Sequence, residues 1–152
     1  MTSMDTSLKN TREGNYVMLR AGSLRLLLPQ AEVGAAEYVE GQFEALGDMG
    51  LMQRSGGDEQ CFYVAMSSDM TPLPQIPEGR FLVTTLGDGS DELRWCWDEV
   101  RVLIDFDFTA QPLPPVLAAA YTPVNEFFEQ DGEIIFLCDA ARIAGFAFTE
   151  RS

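Results

Sequence analysis

Asp131-Gly132, set between Phe127-Phe128 and the unbroken apolar run Ile134-Ile135-Phe136-Leu137-Cys138, commits the C-terminal quarter of the chain to a β-hairpin. A tight reversal needs positive φ, which glycine accepts without steric cost and aspartate tolerates. The run after the turn therefore reads as a buried strand. Asp139 follows it and precedes Ala140-Ala141-Arg142-Ile143, so its carboxylate is placed to accept free backbone N–H groups at the start of a short helix. A capped hairpin explains each of these residues without a functional role.

The same layout recurs upstream. Tyr16–Arg20 and Leu24–Leu28 are strand candidates joined by Ala21-Gly22-Ser23, and Pro29 closes the second. Gln30–Ala36 is expected to form a short helix with Val33 facing inward, and Tyr38-Val39 restarts an extended segment. Gln60–Met66 is the next apolar strand, ended by Ser67-Ser68-Asp69. Pro72, Pro74 and Pro77 then make a stiff surface connector, a seam near residues 70–80. Arg80–Leu86, a turn at Gly87–Ser90 and Leu93–Trp97 read as a second hairpin that Val100–Phe108 extends. Asp105-Phe106-Asp107-Phe108 alternates, so the carboxylates should face solvent and the rings inward. Residues 1–15 are polar and lack periodicity, so they are expected to be a disordered tail, with the single domain spanning 16–152. Short strands, frequent Gly and Pro turns and no long amphipathic helix indicate a mainly β fold: two small antiparallel barrels packed together, with short helices.

Charge and residue usage narrow the function. The formal net charge is -14 with one lysine, Lys9, so nucleic acid and anionic membrane surfaces would be repelled. No apolar run approaches a membrane span of about 20 residues, and the polar N-terminus lacks the features of a signal peptide, so a cytoplasmic location is expected. The chain has no histidine, which removes the usual triads and the common imidazole ligand for zinc. Cys61, Cys96 and Cys138 sit among apolar or aromatic residues and read as reduced core thiols. No cofactor, catalytic residue or metal ligand is expected.

The order of elements resembles the CheW-like domain, the adaptor module of bacterial chemotaxis and twitching-motility systems. Tyr16–Pro29 followed by Val33 is similar to that family's first hairpin and the segment after it. Gly50–Gly56 falls where the family carries its Asn-Leu-Arg-Gly motif, and Phe62–Met70 resembles the strand that follows. Trp97-Asp98-Glu99-Val100 is similar to its apolar-Asp-x-Val step, and Tyr121–Ile143 to its closing hairpin and Asp-x-x-x-Ile turn. Ser55 stands where the family has its loop arginine, with Arg54 one place earlier, and Val124 where a glycine is common.

The resemblance implies two intertwined SH3-like barrel subdomains and a non-enzymatic adaptor with two protein partners, the regulatory domain of a histidine kinase and the helical tip of a chemoreceptor. Position suggests Val33, Met52 and Met66 for the kinase side, with core packing as the competing reading of each. Gln53, Arg54 and Ser55 are suggested for the receptor groove, against an ordinary solvated turn. Two other classes compete with this one. The same fold could serve a different protein partner. Alternatively Asp98 with Glu99, or Asp105 with Asp107, could hold a divalent cation in a carboxylate-based binder or hydrolase. Adjacent strand residues point to opposite faces, however, and two carboxylates without a glycine-spaced loop make a poor calcium site. Gly87-Asp88-Gly89 puts a carboxylate where a phosphate would sit.

Overall fold

The computed structural model describes residues 11–39, 43–45, 51–54, 61–67, 70–77, 80, 82–87, 93–114, 124 and 126–147. The strands are β1 (Thr11–Ala21), β2 (Leu24–Pro29), β3 (Glu37–Tyr38), β4 (Phe43–Ala45), β5 (Met52–Arg54), β6 (Phe62–Ala65), β7 (Leu82–Thr84), β8 (Leu93–Trp97), β9 (Glu99–Thr109), β10 (Gln111–Pro112), β11 (Glu126–Gln130) and β12 (Glu133–Leu137). A 3-10 turn spans Gln30–Glu32, and among the described residues one helix, α1 (Ala140–Ala147), follows the last strand.

Two six-stranded sheets result, ordered β10-β11-β12-β2-β1-β9 and β3-β7-β8-β6-β5-β4. Aligned as β9-β1-β2-β12-β11-β10 and β3-β7-β8-β6-β5-β4, the two orders have the same pairing pattern. Each is antiparallel except at one central pair, β2 with β12 and β6 with β8. Following the chain, β3 to β8 of one subdomain correspond in order to β9, β10, β11, β12, β1 and β2 of the other. The N-terminal hairpin thus completes a subdomain whose other four strands lie at the C-terminal end. In each sheet the two outer strands are consecutive in the chain, and between Thr109 and Gln111 only Ala110 intervenes. Edges tethered so closely must approach one another, so each sheet is rolled.

Strand alternation builds three packed layers. On β1, Val17, Leu19 and Ala21 face a shared core with Leu24, Leu26 and Leu28 of β2, Val64 and Met66 from the β6 region, and Trp95 and Trp97 of β8. The intervening residues point the other way: Met18 and Leu27 join Phe108, Ala110, Phe128 and Ile135 inside the first subdomain. Tyr63, Ala65 and Cys96 pack with Val39, Met52 and Val83 inside the second. β1, β2, β6 and β8 are therefore buried on both faces, which explains why Leu26-Leu27-Leu28 and Trp95-Cys96-Trp97 are continuously apolar. At about 1.5–3 kcal/mol for each large side chain fully buried, the shared layer is a main source of stability and joins the two subdomains.

Several expectations need correction. Order begins by Thr11, because Thr11–Gly14 pair with Thr109–Phe106 of β9. β8 and β9 do not form an extended hairpin: the chain changes sheets at Asp98. Gln30–Ala36 supplies a 3-10 turn of three residues and then bridges to the second sheet, Val33 pairing with Leu86. The sheets exchange the chain at 30–36 and at Asp98, whereas the prolines at 72–77 lie within the second subdomain. Ile134 is exposed, although it stands in an apolar run.

Candidate partner-binding site

The segment after β2 is fastened on both sides. Gly34 N–H donates to the Thr85 carbonyl at 2.9 Å and Gly87 N–H to the Glu32 carbonyl at 2.6 Å. Glu32 also reaches α1, where its carboxylate accepts from the Ala140 N–H at 2.8 Å. Asp139 accepts from the Arg142 N–H at 2.8 Å, so two carboxylates complement the positive end of the short helix. A Cβ on Gly34 would run into Thr85 Oγ1, so glycine is what lets this segment lie against the second sheet. Val33 sits at the centre, half-buried against the shared core.

Met52 and Met66 are core residues. They are 2% and 1% exposed, Met52 inside the second subdomain and Met66 in the shared layer, so neither offers a side chain to a partner. Alternation places them there: Met52 pairs with buried Tyr63, and Met66 continues the Val64 face of β6. Gln53 is half-buried on β5 opposite Glu44, and the Arg54 backbone pairs with Phe43. Ser55 lies outside the described residues. Val33 and β5 belong to different places: Val33 bridges to Leu86 beside β7, while β5 lies on the far side of β8 and β6.

Sequence reasoning missed the apolar residues that are exposed. These are Tyr38 on β3, Val102 and Ile104 on β9, and Ile134 on β12. Val100–Ile104 is apolar apart from Arg101, yet β9 is a sheet edge and only Val100 and Leu103 find cover in the cores. The detectable signal was Arg101 interrupting the run.

Asp98 has a structural task. Arg80 is 5% exposed and donates from Nε to Asp98 Oδ2 at 3.2 Å and from Nη1 to the Met66 carbonyl at 2.7 Å. The same Asp98 oxygen accepts from the Gly22 N–H at 2.6 Å, and the Asp98 N–H donates to the Arg20 carbonyl. One carboxylate thereby ties the first hairpin turn to the second subdomain. Glu99 binds Arg20 at 3.3 Å and Arg101 at 2.7 Å. Slight burial raises its carboxyl pKa, but the hydrogen bonds and charges of Arg20 and Arg101 outweigh this and hold it below the usual value. Both carboxylates are thus committed to arginines, which removes the joint cation site. Among the described residues no three Cys, Asp or Glu side chains are grouped to hold a metal. Burial pushes the Cys96 and Cys138 thiols up to about 12, so both are protonated near neutrality; Cys61 is half-buried.

No protein-family model matches the sequence, and neither does any curated protein. Among solved structures, the scaffolding protein TtCheW from Thermoanaerobacter tengcongensis superposes with a TM-score of 0.55 over 84% of this chain and 90% of its own, at 11% identity. The fold is CheW-like. Among the described residues no helix is long and apolar enough to cross a membrane.

Proposed function

We propose that the chain is a non-enzymatic adaptor that couples a receptor to a CheA-type histidine kinase in a bacterial chemosensory or twitching-motility pathway. The observation that supports this reading is the CheW-like fold over most of the chain, shared with a protein that is itself a scaffold. The described geometry agrees, because Asp98, Glu99 and the two buried thiols serve packing and pairing. In this reading Val33 contributes to the kinase surface from the seam, and Gln53, Arg54 and Ser55 lie toward the receptor. The test is binding by calorimetry to the regulatory domain of a cognate kinase and, separately, to a receptor hairpin. Arg54→Ala is expected to weaken receptor binding and leave kinase binding unchanged, since the partners use different surfaces. Absence of kinase binding by the folded protein would overturn the reading.

A second reading is favoured on the receptor side by Ser55, which replaces an arginine in the motif the sequence resembles. Here the same scaffold serves another protein partner. Kinase binding without receptor binding at either low or moderate salt would select it.

A further inference from the structure

Among the described residues, the first subdomain is not closed along its whole length. β10 pairs with β11 only at Gln111–Phe127 and Pro112–Glu126. Beyond that, Phe106–Thr109 of β9 and Phe128–Gln130 of β11 face one another across a cleft of about 420 Å³. Among the described residues, neither strand has a ladder partner on the cleft side. The floor is aromatic: Phe108 and Phe128 stack at 4.7 Å, and Phe106 lies 5.8 Å from Phe128. Asp107 and Glu129 stand exposed on the two opposing strands, and Glu13 lies beside Asp107 in register.

The charges are the decisive feature. All seven arginines whose side chains are described pair with carboxylates of this chain. Among the described residues, none of those pairs involves Glu13, Asp107 or Glu129. Among the described residues, these acids therefore stand at the opening without a salt-bridged counter-charge, on a protein of net charge -14.

We propose that this cleft takes an extended, basic polypeptide segment of a partner protein, which adds as a strand between β9 and β11. Two facing strand edges supply unpaired backbone donors and acceptors, the requirement for strand addition. Alternation then sets the side chains: apolar residues of the incoming strand point onto Phe106, Phe108 and Phe128, and lysine or arginine residues point outward beside Asp107 and Glu129. A nucleic acid or an acidic peptide is excluded by the same rim. The surface is distinct from the Val33 seam, so the proposal extends the adaptor reading without depending on its choice of partners.

The experiment uses the full chain and two model peptides, acetyl-Lys-Val-Lys-Val-Lys-amide and its counterpart with glutamate for lysine, followed by amide chemical shifts at low and moderate salt. The lysine peptide is expected to shift resonances of 106–109 and 128–130, to protect amides there from exchange, and to bind more weakly as salt rises. The glutamate peptide should do neither. The double variant Asp107→Lys/Glu129→Lys changes two exposed side chains and should retain the wild-type spectrum elsewhere while lowering lysine-peptide affinity at least tenfold. Diffuse shifts over the acidic surface, no binding, or affinity unchanged in the double variant would each overturn the proposal. The kinase titration is a separate measurement, so either result stands without the other.

Discussion

Asp98 shows how much one side chain can hold together. It neutralises a guanidinium that is almost wholly buried and also accepts the Gly22 N–H. Asp98→Ala would leave Arg80 as an uncompensated buried charge, for which the usual cost is about 3–5 kcal/mol. We expect a fall of that size in urea-unfolding free energy. A loss under 1 kcal/mol would mean that Arg80 reaches water. Adding Arg80→Met should recover only part of it, since the Gly22 N–H still lacks its acceptor. The thiols make a second residue-scale prediction. With Cys96 and Cys138 buried and their pKa values raised to about 12, a thiol reagent at pH 8 should modify half-buried Cys61 first and the other two only as fast as the protein opens. The sign for stability follows from the same shift. In the unfolded chain these thiols ionise near 9, in the native state near 12, so their contribution is intact below pH 9 and is lost as pH rises between those values. Equal labelling rates at all three positions would contradict this.

At the scale of elements, what could be read from the chain depended on whether a local rule decided the outcome. Asp131 and Gly132 adopt φ of 54° and 81°, as the hairpin requires, and Asp139 caps α1 as its position after the strand suggested. A side-chain-to-backbone bond also follows β6, the counterpart of β12, where Ser67 Oγ accepts from the Thr71 N–H. Gly132→Ala places a Cβ in open space, so only backbone strain remains, about 1–2 kcal/mol. Thermal unfolding should show that loss with the hairpin register retained. Strand faces were legible where a strand has one buried side and obscure where it has two. Periodicity cannot distinguish the cores when both sides of Leu26-Leu27-Leu28 are buried, nor reveal that Val102 and Ile104 are exposed on an edge. The candidate site suffered for this reason: Met52 and Met66 were plausible surface methionines until their pairing placed them inside, while the Phe-floored cleft depends on β9 meeting β11 across 20 residues of chain. Sequence order alone does not display that meeting.

For the molecule as a whole, the consequential feature is that the first hairpin belongs to the subdomain built by the last strands. β1 and β2 contribute one face to the first subdomain and the other to the shared layer against Val64, Trp95 and Trp97. Without that hairpin the first subdomain would lack two of its six strands and the shared layer its β1 and β2 side chains, although β3 to β8 form a contiguous and topologically complete sheet. Long-range pairing of this kind also delays folding, since β1 must wait for β9 before its outer ladder can form. The expectation is therefore specific. A chain beginning at Gln30 should lose cooperative unfolding and the near-ultraviolet signal of Trp95 and Trp97, both of which lie in the shared layer. Supplying the separate segment 11–29 should restore that signal with saturable, one-to-one stoichiometry, because the hairpin fills a fixed place between β9 and β12 rather than coating an apolar surface. If the shortened chain instead retains a cooperative transition and native tryptophan signal, the second subdomain is stable alone and the shared layer contributes much less than its burial suggests.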